Sequence, residues 1–325
     1  MRLSTPHHTM NVTSLSFAVG TLLAALPAQD AQVTVLHGVP GLSAPVEVFA
    51  NGNSLFSFDY GDQEGPLSLP AGSYLLEVRL NGSPILSTTA NVAAGLAYSG
   101  IANLDAGGTP PLSAFVNPTD GLTLPTSRLY VRHTAEAPAV DVVLEQNGAV
   151  FATIPNVTNG QEAQADVPPG IYSVRLNAAG TSTTAFGPVD VAVEDGRGYG
   201  VFAVGQVGTN NFTLLSQIVE LAAKVTVVHG IPGLPAPVTV QANGASLFSF
   251  DYREIVGPLV VLPGSYAFDV LLNGSPVLSR TDTVARGDDV TLVAHLDGSA
   301  NPDLSAVAND TTNMNPVDRR VTPRA

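Results

Sequence analysis

The stretch Leu129-Tyr-Val-Arg-His-Thr-Ala-Glu-Ala-Pro-Ala-Val-Asp-Val142 decides the fold, because related stretches occur 96 residues before it and 96 residues after it. The earlier stretch begins Val-Thr-Val-Leu-His, and the later one begins Val-Thr-Val-Val-His. The histidines at the shared register are His37, His133 and His229. A fixed period of this length indicates three tandem copies of one domain.

Short alternating segments separated by turn residues follow each histidine. Val46–Ala50 and Asn53–Phe58 flank Asn51-Gly52, and Asn-Gly supplies the positive φ angles that a two-residue hairpin turn requires. In Ser73–Leu80 the side chains alternate between an apolar face and a partly polar one, as in a half-buried strand. About seven such segments per repeat, without helical periodicity, predict an all-β fold of three tandem immunoglobulin/transthyretin-like antiparallel β-sandwich domains.

The period also predicts where the domains begin and end. The predicted segments are a signal peptide with a short lead-in (1–31), a first repeat with its linker (32–127), a second repeat (128–220), a third repeat (221–308) and a C-terminal tail (309–325). Asn117–Ser127 is polar and contains two prolines, which is typical of a linker in a string of domains. The join Leu221–Lys224 is short, so the second and third repeats are expected to sit more rigidly than the first pair. Each repeat is expected to fold alone.

The N-terminus predicts export. Arg2 precedes an apolar run, Leu15–Leu26, that is too short to span a bilayer and is followed by a cleavage-like Ala28. Met1 and Met10 both remain possible starts. No later run approaches the length of a membrane span, and the chain contains no cysteine. The sequence therefore predicts a cysteine-free protein that is secreted or held at a cell surface.

Charge excludes two classes of partner. The formal net charge is −14, and only 12% of the residues are charged. Nucleic acids and anionic membrane surfaces both require clusters of Lys and Arg, so neither is expected to bind. The remaining partners are an unknown protein or a glycan at a surface.

The first and third repeats are close copies, with 22 of 28 residues identical between 33–60 and 225–252. Both contain Ser-Leu-Phe-Ser-Phe-Asp-Tyr, which ends at Tyr60 and at Tyr252. One interpretation places Phe56, Phe58 and Tyr60 on an inward face, as a sandwich core requires. The other interpretation is a duplicated binding strip flanked by Asp59 and Asp251.

Three motifs carry a resemblance to a known family. They are a Val-x-Val-x-His strand, an Ala-Pro-x-Val-Asp-Val strand at residues 137–142, and a Pro-x-Gly-x-Tyr-x-Val turn and strand at residues 168–174. The second repeat thereby resembles the bacterial secreted domain of unknown function 4397. The resemblance implies an extracellular or surface β-sandwich repeat with no established activity. The other repeats carry Glu47 and Thr239 in place of Asp141, so no shared His–Asp chemistry is expected. The signature residues are His37, His133, His229, Asp141, Tyr74, Tyr172 and Tyr266.

No catalytic or cofactor-binding constellation occurs in the sequence. Each signature histidine belongs to a different repeat, which favours a structural role at a strand end over a metal site. Acidic turns at Asp105, Asp288-Asp289 and Asp297 are interpreted as Asx-turns, with calcium as the alternative. The sequence predicts no catalytic residue, no cofactor and no metal.

These observations favour an exported, non-catalytic structural or adhesion protein of the cell surface or extracellular matrix. The alternative is an extracellular glycan-binding module array, which the absence of Trp disfavours. The 96-residue period next reaches Val321, so the tail resembles the first strand of a fourth repeat. A strand without a domain of its own could pair with an exposed sheet edge on another molecule. Self-association through this tail is possible, but Pro323 and three nearby arginines favour a solvated end.

Overall fold

The computed structural model describes residues 30–42, 45–234 and 237–309. These residues form 24 β-strands, which fall into three successive sets of eight. Within the described ranges, no helix is long and apolar enough to cross a membrane. The predicted leader and most of the predicted tail lie outside the described residues.

The strands follow the 96-residue period. The first set is β1 (Ala31–His37), β2 (Val46–Ala50), β3 (Asn53–Phe58), β4 (Gln63–Leu69), β5 (Gly72–Leu80), β6 (Ser83–Val92), β7 (Ala97–Ala102) and β8 (Leu112–Val116). The second set is β9 (Ser127–His133), β10 (Val140–Gln146), β11 (Ala149–Val157), β12 (Glu162–Val167), β13 (Gly170–Ala178), β14 (Thr184–Val193), β15 (Arg197–Val204) and β16 (Thr213–Glu220). The third set is β17 (Ala223–His229), β18 (Val238–Ala242), β19 (Ala245–Phe250), β20 (Ile255–Val261), β21 (Gly264–Leu272), β22 (Ser275–Val284), β23 (Asp289–Leu296) and β24 (Pro302–Ala308).

Each set builds two four-stranded sheets with the same strand order. In the first repeat the orders are β4-β1-β7-β8, here named the front sheet, and β3-β2-β5-β6, here named the back sheet. The front sheets of the other repeats are β12-β9-β15-β16 and β20-β17-β23-β24, and the back sheets are β11-β10-β13-β14 and β19-β18-β21-β22. The all-β sandwich prediction is confirmed, whereas the domain boundaries stay a prediction.

Two details differ from the sequence-based expectation. Each repeat has eight strands rather than about seven, and the central pair of every front sheet is parallel: β1 with β7, β9 with β15 and β17 with β23. All other strand pairs are antiparallel. An immunoglobulin sandwich has strands A, B, E and D in one sheet. Here the first and second strands lie in opposite sheets, so the strand order is not the immunoglobulin order.

Each repeat has its own core between a front sheet and a back sheet. In the first repeat Val33 of β1 faces Val48 and Val78 of the back sheet. The corresponding trios are Leu129, Val142 and Leu176 in the second repeat and Val225, Val240 and Val270 in the third. Alternation in the strands thus places the apolar residues between the sheets, as the sequence predicted.

The Asn-Gly turns adopt the predicted conformation. Asn51 and Gly52 have φ angles of 49° and 80°, and the Asn-Gly pairs at 81–82, 147–148, 243–244 and 273–274 repeat these values closely. In the first and third repeats the asparagine side chain also joins two strands, because Oδ1 of Asn51 accepts the backbone N–H of Leu75 at 2.9 Å. Asn243 accepts the N–H of Ala267 at the same distance. These turns set the register of the back-sheet hairpins.

Candidate functional site

The three signature histidines end β1, β9 and β17, and each is 1% exposed. His37 and His229 accept, through Nδ1, the backbone N–H of the residue two positions later, both at 3.3 Å. His133 instead donates from Nε2 to the carbonyl of Pro138 at 2.9 Å. Each imidazole therefore holds the loop that leaves its strand. Burial lowers the pKa of all three side chains below the ordinary value.

These lowered pKa values predict a pH dependence of stability. Below about pH 6.5 the histidines of the unfolded chain bind protons, whereas the buried imidazoles of the folded chain resist protonation. The free energy of unfolding should therefore decrease as the pH falls from about 7 to about 5, by at most about 1.4 kcal/mol per pH unit for each histidine. Urea unfolding at several pH values measures this slope. His229→Gln should make the slope shallower, and an unchanged slope would contradict the assignment.

The signature tyrosines pack against the cores, Tyr172 fully buried and Tyr74 and Tyr266 half-buried, and each holds the turn that precedes its strand. The hydroxyls of Tyr74, Tyr172 and Tyr266 each donate to the backbone carbonyl four residues earlier, at 2.8, 3.0 and 2.8 Å. Tyr172 is 0% exposed. Burial raises the pKa of Tyr172 and of Tyr266. The geometry is that of a tyrosine corner, in which a buried ring carries a satisfied hydroxyl.

The side-chain hydrogen bonds of Asp141 do not include His133. Its Oδ1 accepts the backbone N–H of Asn156 at 2.8 Å, and its Oδ2 accepts that of Gly180 at 2.9 Å. Asn156 and Gly180 both have positive φ angles, so the carboxylate holds two irregular backbone positions on either side of β10. In the third repeat Thr239 stands at this position and hydrogen-bonds to Ser249. Asp141 therefore stabilises the local backbone of the second repeat.

The acidic turns use their carboxylates on their own backbone. Asp105 accepts the N–H groups of Gly107 and Thr109, both at 2.8 Å. Asp297 accepts those of Ser299 and Asn301 at the same distance, and these bonds lower its pKa. These are Asx-turns. In the described part of the chain, no three His, Asp or Glu side chains are grouped so that they could hold a metal ion.

The duplicated aromatic strip is divided between the core and the surface. Phe58 and Phe250 are buried, and their rings lie 5.5 and 5.4 Å from those of His37 and His229. The two tyrosines that end the strip differ. Tyr60 donates from its hydroxyl to the carbonyl of Asn211 in the second repeat at 2.6 Å. Its equivalent, Tyr252, is 41% exposed.

The contact of Tyr60 belongs to a packed interface between the first two front sheets. Leu36 and Ile101, on the outer face of the first front sheet, are 1% and 0% exposed. They form one cluster with Phe202 and Val204 of the second repeat, both 0% exposed. The central strands of the first two front sheets are therefore buried on both faces. The expectation of loosely strung domains is wrong for this pair.

Arg132 lies inside this interface with no exposed surface. Its Nε donates to the carboxylate of Glu162 at 2.6 Å, Nη1 to the hydroxyl of Ser99 at 3.0 Å, and Nη2 to Oδ1 of Asn117 at 2.6 Å. Burial lowers the pKa of the guanidinium, and Glu162 opposes that shift. The Ser99 hydroxyl in turn donates to Gln217 at 2.6 Å. One buried cation thus joins the first repeat to the second.

Aromatic rings surround the same guanidinium. Its central carbon lies 4.7 Å from the ring centroid of Phe115, 5.1 Å from that of Tyr130 and 5.0 Å from that of Phe202. Phe115 belongs to the first repeat and the other two rings to the second. Cation–π attraction is strongest when it is desolvated, as here. No motif in the sequence indicates a role for Arg132 or Tyr130, although a large aromatic side chain at an outward position of a strand is a sign of a covered face.

The predicted linker Asn117–Ser127 is packed rather than free. Arg128 donates from Nη1 to the carbonyls of Pro118 and Asp120 at 3.2 and 3.1 Å. Tyr130 donates to the carbonyl of Pro118 at 2.7 Å, and burial raises the pKa of this tyrosine to about 12. Arg286 of the third repeat donates to the carbonyl of Asn117 at 2.8 Å. The linker therefore contacts both following repeats.

The third repeat packs against the second along its edge, and no other part of the described chain covers the outer face of its front sheet. Leu262 contacts the buried cluster that contains Tyr130 and Leu221. On the outer face of the third front sheet, Val228 and Val293 stand where the first repeat has Leu36 and Ile101. Val228 and Val293 are only partly buried. The nearby Ile255 and Val307 are 65% and 52% exposed.

Comparison with known proteins identifies a family without an assigned activity. A family model described as "Domain of unknown function (DUF4397)" matches residues 31–143 and 223–322. No curated protein matches the chain. Among solved structures, the Bacillus anthracis TIE protein is 12% identical with a TM-score of 0.19, over 82% of this chain and 50% of that one. The chain thus spans half the length of that structure.

Proposed function

The chain belongs to the DUF4397 family, and from this membership we propose that it is an exported, non-catalytic structural or adhesion protein of the cell surface or extracellular matrix. The leader-like run Leu15–Leu26 supports export. The prominent polar side chains make structural hydrogen bonds, which supports a non-catalytic role. The signature histidines, Asp141 and Arg132 all hold neighbouring backbone or side chains.

The observation that carries the proposal is the uncovered front sheet of the third repeat. The outer faces of the first two front sheets bury each other in one chain. The third repeat has the same face, with two valines at the equivalent central positions and the exposed Ile255 beside them. A face of this kind suits a second copy of the chain, since related sheets can repeat the packing of the first two repeats across a twofold axis. Assembly of rigid units through this face is the proposed structural activity.

The role of this face is tested by changing one central side chain. Val293→Asp places a charge in the middle of the face and should convert a concentration-dependent dimer of residues 30–325 into a monomer. Sedimentation equilibrium measures the molar mass. The dissociation constant should rise at least about 100-fold, because an unpaired buried charge costs several kcal/mol.

Val277→Asp is the matched control. Val277 lies on β22 in the back sheet of the same repeat and is 41% exposed. This variant should associate like the unaltered chain. A monomer at every concentration in the unaltered chain would contradict assembly through this face, and so would equal weakening by the two substitutions.

A further inference from the structure

The first repeat contains an apolar cavity between its two sheets. The cavity has a volume of about 330 Å³, which lies within the range of small-molecule sites. At one edge of the sandwich it is lined by Leu55 of β3 and Leu67 of β4, and at the other edge by Thr89 of β6 and Val116 of β8. It therefore extends across the sandwich between the two sheets.

The cavity exists where the first repeat lacks a side chain that the other repeats have. Gly100 is the partner of Val35 on the inner face of the first front sheet. At the same register the second repeat has Val201 and the third has Leu292, which are 3% and 2% exposed. A β-carbon added to Gly100 would meet no other atom closer than 4.0 Å. This glycine therefore leaves open space in the core, where the other repeats have packed side chains.

The opposite sheet is also less filled at this point. Leu76 of β5 pairs with Ala50 and lines the cavity, whereas the third repeat has Phe268 as the equivalent partner of Ala242. Phe268 is 4% exposed, so the larger ring completes that core. Both sheets of the first repeat thus carry a smaller side chain at facing positions. Protein interiors are otherwise close-packed, so an unfilled space of this size favours an occupant.

The chemistry of the lining selects the occupant. The lining side chains are almost all aliphatic or aromatic, and none of them is charged. The hydroxyl of Tyr74 donates to the carbonyl of Pro70, and that of Tyr98 accepts the N–H of Ala93, so both phenols are engaged with backbone. Thr89 and Asn91 pair with Leu75 and Ser73, so their side chains lie on the outer face of the back sheet and only their backbone reaches this edge of the cavity. β6 is an edge strand, and the outward N–H and C=O groups of its backbone can hydrogen-bond to a neutral head group. Nothing in the lining would compensate an anion.

We propose that the first repeat binds a neutral, unbranched aliphatic molecule between its sheets. The chain of the ligand lies against the Gly100 and Leu76 positions, and its hydroxyl or ester group lies at the edge formed by β6. Transfer of the apolar chain out of water supplies the driving force. The site is specific to the first repeat, because the second and third repeats fill the Gly100 position with Val201 and Leu292. It is independent of any assembly through the third front sheet.

The test uses residues 30–325 with 1-octanol and with octanoate as probes. Isothermal titration calorimetry should show saturable binding of 1-octanol at one site and a much weaker response to octanoate. Gly100→Leu, which copies Leu292, should weaken 1-octanol binding at least about tenfold. The same variant should raise the melting temperature of the free protein, because the added side chain fills the space. Absence of saturable 1-octanol binding to the unaltered chain would overturn the proposal.

A second pair of variants guards against misfolding of the glycine variant. Leu76→Phe copies Phe268 and fills the cavity from the back sheet, so it should also weaken binding at least about tenfold. Leu75→Phe makes the same change at the adjacent residue, which is 46% exposed and points away from the core, and it should bind like the unaltered chain. Equal binding by both phenylalanine variants would overturn this location, and equal affinity for octanoate would overturn the neutral class.

Discussion

Replacement of Arg132 by alanine should lower the free energy of unfolding by about 3–5 kcal/mol, the cost of breaking a buried, hydrogen-bonded ion pair. The substitution removes the donors that satisfy Glu162, Ser99 and Asn117. It also leaves an opening between Phe115 and Phe202 where the guanidinium lies. Urea unfolding of residues 30–325, followed by circular dichroism, measures the loss. Because the interface spans two repeats, the first two repeats should also unfold at separate denaturant concentrations in this variant.

Arg197→Ala is the matched control for this prediction. Arg197 lies on β15 in the same sheet and pairs with Glu194 and Glu220, whose side chains are 67% and 43% exposed. Exposed pairs of this kind contribute at most about 1 kcal/mol. If the two alanine variants lost the same stability, the buried network would not join the repeats as described.

Replacement of Tyr172 by alanine should cost about 3–5 kcal/mol, as for other large aromatic truncations in cores. The ring is fully buried, and its hydroxyl closes the turn at Pro168. Tyr172→Phe keeps the ring and should cost only about 1 kcal/mol, the net contribution of one hydrogen bond. Thermal and urea unfolding of both variants measure these losses.

Tyr252→Ala tests whether the loss depends on burial. Tyr252 is 41% exposed, and its alanine variant should lose less than about 1 kcal/mol. A similarly small loss for Tyr172→Ala would place that face of β13 in solvent and contradict the register of the back sheet.

Local chemistry in the sequence was sufficient to predict the strands and the core faces. Asn51-Gly52 determines both the position and the type of its hairpin turn, because few other residue pairs accept two positive φ angles. The alternation of side chains along the strand then predicted that Tyr172, Val174 and Leu176 point into the core. All three are at most 1% exposed. These features depend on residues that are close in the chain, where propensity and periodicity are informative.

Features that depend on distant residues could not be predicted in this way. Asn117–Ser127 has the composition of a linker, yet it is held by Arg286, 169 residues beyond Asn117. The cavity in the first repeat likewise depends on Gly100. Only the strand pairing of the three repeats shows that Val201 and Leu292 occupy the equivalent positions. The covered front sheets had one local indication, the large outward side chain of Tyr130. The alternation of side chains shows which residues point outward, but not which part of the molecule covers them.

The parallel pairing of β1 with β7 has a consequence for the order in which each repeat folds during synthesis. Gln32 aligns with Ala97, 65 residues later, and the strands between them include the whole back sheet. Closing so long a loop is entropically costly, and topologies dominated by distant contacts fold slowly. A chain that has emerged only as far as β6 therefore has no central neighbour for β1. Each repeat should therefore remain unfolded until its seventh strand has been made.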